Sequence, residues 1–209
     1  MTEAALTTFV AALFSMMNPI GNVGIFAGMT ADRDRAEARL IAWKCALACA
    51  ITLLIVIWTG GALLKFFGIS VHQLRAAGGI IVLLIGLHML FNKSEHKTSA
   101  AEAEDAKARE SIAVVPLAIP LVAGPGTIAT VLVAAQRHPG IMAKVEISIA
   151  VAALCVLTGL LFAYSKPIAD WLGKSGMAVV TRIMGMVLVA IAMGMLTEGL
   201  VSMIPALGK

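Results

Sequence analysis

Two short segments place polar groups and breakable backbone inside otherwise apolar sequence: Asn18-Pro19-Ile20-Gly21-Asn22 and Gly124-Pro125-Gly126-Thr127. Each lies near the middle of a charge-free run. Proline removes a backbone donor and its ring clashes with the preceding turn, and glycine in a helix interior costs about 1 kcal/mol relative to alanine. Both segments are therefore expected to interrupt a helix. N–H groups at the start of the resumed helix, from Gly21 to Val23 and from Gly126 to Ile128, carry partial positive charge and can hold a carboxylate. Carbonyls released near Met17 and Ala123 can accept from an ammonium group. Asn18, Asn22, Thr127 and Thr130 add neutral donors and acceptors. The combination suits a small zwitterion held without any charged side chain. A proline kink used only for packing would need the same residues, because neighbouring helices can repair the lost bonds.

Other residues offer less. Glu198 is the only acid well inside an apolar run. Intramembrane acids are functional by default, so it is a candidate for proton coupling, or else an interfacial acid that reaches water about two turns from its helix end. His88 and Arg75 lie near helix ends and suit interfacial roles. Gly24 and Gly28, with Gly78, Gly79, Gly185 and Gly194, are expected to allow close helix packing. Cys45, Cys49 and Cys155 sit in apolar runs without CxxC spacing, so they read as reduced packing residues and not as metal ligands. No nucleophile–base pair, HExxH motif or GxxxxGK motif occurs, so neither an enzyme, a metal, a cofactor nor direct ATP use is expected.

The elements that must position these groups follow from composition. Of 209 residues, 60% are hydrophobic and 13% charged, against about 45–50% apolar and about 25% charged in a soluble domain. So few charges cannot cover the surface of a soluble core, and the chain must use lipid as its solvent. The net charge of +4 is spread between apolar runs and gives no basic stripe for nucleic acid. About 20 apolar residues in a helix cross the hydrocarbon core, and six such runs can be read: Ala4 to Thr30, Cys45 to Leu64, Val71 to Phe91, Ile112 to Ala135, Ile147 to Ser165 and Ile183 to Ile204. They are continuously apolar and too long for barrel strands.

Lysine and arginine set the orientation. Eleven fall after the first, third and fifth runs and five on the other side, which predicts both termini outside. Residues 92–111 are rich in Ala, Glu and Lys and read as a cytoplasmic linker. The linker divides the chain into residues 1–91 and 112–209, and a faint repeat relates the halves. Pro19 falls on Pro125 and Gly79 on Gly185 at a shift of 106, while Gly68 falls on Gly173 at 105. Three crossings per half force opposite orientations. The predicted fold is thus an all-α membrane protein of six transmembrane helices, arranged as two inverted three-helix repeats with the first and fourth helices broken mid-membrane.

The two broken segments, with Pro116-Leu117-Ala118-Ile119-Pro120 leading into the second, resemble the MarC family of bacterial and archaeal membrane proteins over essentially the whole chain. The resemblance implies a multi-pass inner-membrane protein of two inverted repeats, some of whose relatives transport small neutral amino acids such as glycine and alanine. By position it implies a site at Asn18, Pro19 and Gly21 with Gly124, Pro125, Gly126 and Thr127. Many relatives carry proline two residues after the position of Asn22, where this chain has Gly24. The expected function is secondary transport of a small zwitterion, coupled to a proton or sodium ion. A channel or exporter for another small polar metabolite, and a non-transporting membrane subunit, remain the alternatives.

Overall fold

The computed structural model describes residues 1–91 and 122–204. The expected linker, the first part of the fourth apolar run and the Pro116–Pro120 motif lie outside the described residues. Within them the chain is entirely helical: α1 (Glu3–Met17), α2 (Val23–Met29), α3 (Arg35–Phe67), α4 (Val71–Phe91), α5 (Pro125–Arg137), α6 (Ile141–Ala163) and α7 (Ser165–Met203). Four stretches are long and apolar enough to cross a membrane: α3, α4, α6 and Ser175–Met203 of α7. The first apolar run is two helices, α1 and α2, neither of which spans alone.

Local chemistry sets the ends. Asp34 caps α3 by accepting the Glu37 N–H at 2.7 Å, and Gly68, at φ 66°, closes it in the left-handed conformation. Ser70 and Gln73 form a reciprocal capping box at the start of α4, with bonds of 2.8 and 3.1 Å. The apolar run from Cys45 underestimates α3, which begins ten residues earlier because Arg35, Arg39 and Lys44 are exposed. The last helix also begins earlier than its apolar run. Tyr164 ends α6, Ser165 to Leu172 form a short polar stretch carrying the exposed Trp171, and Gly173 at φ 64° turns the chain before the spanning part.

Two antiparallel pairs form the frame, α3 with α6 and α4 with α7. The broken segments lie between them: α5 touches α3 and α4, while α1 and α2 touch α6 and α7. On the α3–α6 pair, Arg39 stacks over Tyr164 and Lys144 over Trp58, each at 5.6 Å. Arg39 and Trp58 are nineteen residues apart, about 28 Å of helix, which matches a hydrocarbon core of about 30 Å flanked by amphipathic aromatic anchors. The many exposed large apolar side chains, including Leu47, Ile51, Ile55, Leu84 and Ile149, are lipid-facing positions.

The α4–α7 pair is glycine-lined. A Cβ on Gly79 would stand 3.0 Å from the Ala192 carbonyl, and one on Gly86 would stand 3.0 Å from the Gly185 carbonyl. These two contacts are reciprocal, since Gly185 and Ala192 lie 106 residues beyond Gly79 and Gly86. Not every glycine in the sequence serves packing: Gly28 and Gly194 meet nothing within 4 Å.

One end of the bundle gathers Met1, whose amino group pairs with Glu146, the α3–α4 turn, the α5–α6 turn and the end of α7. The N-terminus and residue 204 therefore lie on the same side. At the opposite end the Lys166 ammonium donates to the carbonyls of Ala31 and Arg33, at 3.3 and 2.9 Å, and ties α7 to the loop after α2.

Candidate functional site: the paired helix breaks

The first break begins at Asn18, whose φ of 47° is the one positive value at a non-glycine among the described residues. Asparagine tolerates this left-handed conformation better than most residues. It ends α1, and Pro19 cannot resume the helix. Asn18 Oδ1 then accepts the Gly21 N–H at 3.2 Å, the Asn18 carbonyl accepts the Asn22 N–H at 3.0 Å, and the Ile20 carbonyl accepts the Val23 N–H at 3.2 Å. The Asn22 side-chain amide donates back to the Met17 carbonyl at 3.1 Å. The three amides expected to be free at this break are thus already bonded, and so is the Met17 carbonyl. Asn18, Pro19, Gly21 and Asn22 are all buried. A side chain at Gly21 would collide with that of Asn18.

The second break is built differently. Gly124, in extended conformation, is the N-cap of α5 without a side-chain capping bond, and Pro125 occupies the first turn. The first ladder bond runs from the Ile128 N–H to the Gly124 carbonyl at 3.0 Å. Pro125 has no N–H, and the amides of Gly126 and Thr127 precede the ladder, as at any helix start. No acceptor for either is found among the described residues. Thr127 Oγ1 donates to the Val122 carbonyl at 2.9 Å, the carbonyl adjoining Ala123. Thr130 Oγ1 donates to the Gly126 carbonyl at 2.8 Å, an ordinary bond within its helix.

One arrangement recurs at both breaks. A buried polar side chain, Asn22 or Thr127, bonds the carbonyl five residues earlier, that of Met17 or Val122. Both donors and both acceptors are related by 105 residues, one fewer than the shift that aligns Pro19 with Pro125. In hydrocarbon each unpaired carbonyl would cost several kcal/mol, and the two side chains remove that cost in the same way.

Packing contacts from α1 and α4 bring the breaks together. A Cβ on Gly126 would overlap Val82 of α4 and stand 3.4 Å from the Met16 sulfur, so the start of α5 packs against the last turn of α1. Asn18 Nδ2 lies 3.6 Å from the Met89 sulfur. With Asn18, Asn22 and Thr127 only 4%, 5% and 2% exposed, the paired breaks form a closed site. A groove of about 430 Å³, lined by Thr7, Thr8, Ala11, Ala12, Ser15 and Ile191, runs along α1 and approaches Asn18 from the Met1 end.

Glu198 is not part of this arrangement. Its carboxylate pairs with Arg75 and with Arg137 at 3.2 Å at the Met1 end of the bundle. Arg75 stands fourteen residues along α4 from Met89, about 21 Å of helix. No group of His, Cys, Asp or Glu that could hold a metal ion occurs among the described residues.

Comparison with known proteins agrees with a helical membrane chain. Residues 4–204 match the family described as "MarC family integral membrane protein". The chain is 41% identical to "UPF0056 membrane protein YvbG" of Bacillus subtilis over 94% of each chain. It is 36% identical to "UPF0056 membrane protein MJ1677" of Methanocaldococcus jannaschii, over 90% of this chain and 92% of the relative. With "UPF0056 membrane protein YhcE" of Escherichia coli the identity is 34%, over 95% of this chain and 93% of the relative. No solved structure matches it. A helical membrane chain whose match runs from the first helix to the end of the last belongs to the MarC family of integral membrane proteins.

Proposed function

We propose that this protein is a secondary transporter of small neutral amino acids of the glycine and alanine class, acting in the bacterial inner membrane by alternating access around the paired helix breaks. The observation that carries the reading is the matched bonding of Asn22 to Met17 and of Thr127 to Val122. Irregular backbone at membrane depth persists only where protein or a polar cavity surrounds it, and paired broken helices at a repeat interface are a usual plan of substrate sites in secondary transporters. The amides of Gly126 and Thr127 at the start of α5 would take the substrate carboxylate. Asn18 and the carbonyls at the breaks would take its ammonium group, and the tight surroundings of Gly21 and Gly126 limit its side chain to hydrogen or methyl.

An inverted repeat of six helices is part of the same proposal. The reciprocal Gly79–Ala192 and Gly86–Gly185 contacts, the positive φ at both Gly68 and Gly173 and the antiparallel pairing of α3 with α6 and α4 with α7 support it. The broken helices between the two pairs are placed to change partners as the pairs rock. The groove along α1 is the route we assign to the substrate from the Met1 side, which the charge count predicts to be outside.

The test is uptake of radiolabelled glycine and alanine by liposomes containing the purified protein, with and without a proton or sodium gradient. A secondary transporter accumulates substrate above the external concentration when the right gradient is imposed. Equilibration without accumulation would instead mark a channel, and no uptake by folded protein would remove neutral amino acids as substrates.

A further inference from the structure

A second polar cluster lies at the Met1 end, away from the breaks. A cavity of about 200 Å³ opens between the first turns of α4 and the last turn of α5, lined by Val71, His72, Arg75, Val133, Gln136 and Arg137. Arg75 is the unusual member. Its side chain is only 15% exposed, although arginine is almost never deeply buried unless paired. It pairs with Glu198 through one guanidinium nitrogen, and Glu198 is shared with Arg137. Two guanidinium groups thus share one carboxylate. A guanidinium carries five N–H donors, so most of the donor capacity of the pair is not used by Glu198.

We infer that this cavity is a binding site for a small monocarboxylate. Two arginines and one glutamate leave a single positive charge, which one monoanion neutralises and a dianion would exceed. Guanidinium groups recognise carboxylates through paired N–H donors, and Glu198 already shows that the Arg75–Arg137 pair accepts that chemistry. Glu198 acts here as a positioning residue: 54% exposed, it holds both guanidinium groups beside the cavity. Gln136, whose side chain packs against Gly61 of α3, supplies a neutral donor and acceptor on the wall. His72 lines the same wall. The site rests on its own geometry and not on the transport reading.

Thermal unfolding of the purified protein at constant ionic strength tests this, with sodium acetate as probe and sodium chloride and methylammonium chloride as controls. Acetate well above its dissociation constant is expected to raise the unfolding midpoint by about 2 °C or more over chloride, and methylammonium is expected to give no rise. The acetate effect should vanish in Arg75→Gln. Should that variant not fold, Val133→Phe, which fills the cavity without altering a charge, should abolish it equally. Thr127→Val at the second break, which keeps the side-chain shape, should keep it, which separates this site from the proposed transport site. No shift beyond chloride, or the same shift in Val133→Phe as in the unaltered protein, would overturn the proposal. A shift produced by added phosphatidylglycerol and not by acetate would also overturn it, in favour of a lipid headgroup.

Discussion

At the residue scale, the site depends on side chains that complete broken backbone. Asn22 and Thr127 are recognisable in the sequence as neutral polar residues beside Pro and Gly, and released carbonyls are expected near Met17 and Ala123, but that these two side chains bond them is not legible there. The carbonyls of Met17 and Val122 become available only when the chain leaves the helix, and which carbonyl is released depends on how each proline is placed. Pro19 follows a left-handed Asn18, whereas Pro125 opens α5, so aligning the two prolines puts the halves one residue out of step. Glu198 shows a different limit. As the one acid well inside an apolar run it was a candidate for proton coupling, and nothing in the sequence brings Arg137 to it from 61 residues away. Held by Arg75 and Arg137 at the bundle end, it is expected to be dispensable for the transport cycle. In liposomes Glu198→Gln should retain gradient-driven accumulation, although leaving the largely buried Arg75 without its carboxylate is expected to lower stability by about 1–3 kcal/mol. Loss of accumulation with the fold intact would return Glu198 to the coupling role.

At the element scale, the breaks were legible because proline and glycine act locally, and the spanning helices because a run of apolar residues needs no partner to be read. Helix ends were less so. Charged residues at the start of α3 and in the Ser165–Leu172 stretch look like loop until their exposure at the membrane boundary is seen. Glycine is the clearest case of a residue whose meaning depends on the opposing surface. A Cβ on Gly79 would stand 3.0 Å from backbone atoms of Ala192 and Leu196, while one on Gly194, on the partner helix, would meet nothing within 4 Å. Gly79→Ala should therefore push α4 from α7 and lower stability by about 1–3 kcal/mol, as overpacking does. Gly194→Ala should raise it by about 0.5–1 kcal/mol through helix propensity alone. Denaturation midpoints of the two variants in one detergent decide this, and equal effects would contradict the assigned α4–α7 packing.

At the scale of the whole molecule, two antiparallel helix pairs enclose the broken segments. The pairing of Met1 with Glu146 and the contact of Gly199 with the His72 carbonyl and Ala76 place the start and end of the described chain on one side. The lysine and arginine count predicts that side to be outside. Single cysteines introduced at Thr2 and Ser202, in a variant whose three native cysteines are serine or alanine, should both react with a membrane-impermeant maleimide in intact cells. A cysteine at Asp32 should react only after permeabilisation, and the reverse pattern would invert the orientation without altering the fold. The claim that the paired breaks form the substrate site is tested most directly by glycine uptake in liposomes, comparing Thr127→Val with Thr158→Val. Both changes remove a buried hydroxyl that donates to a backbone carbonyl, Val122 in one case and Leu154 in the other, but only the first lies at a break. Uptake reduced at least about ten-fold in Thr127→Val, equivalent to about 1.4 kcal/mol of lost recognition, with Thr158→Val near the unaltered protein, is the expected result. Equal uptake by the two folded variants would contradict a substrate site at the helix breaks.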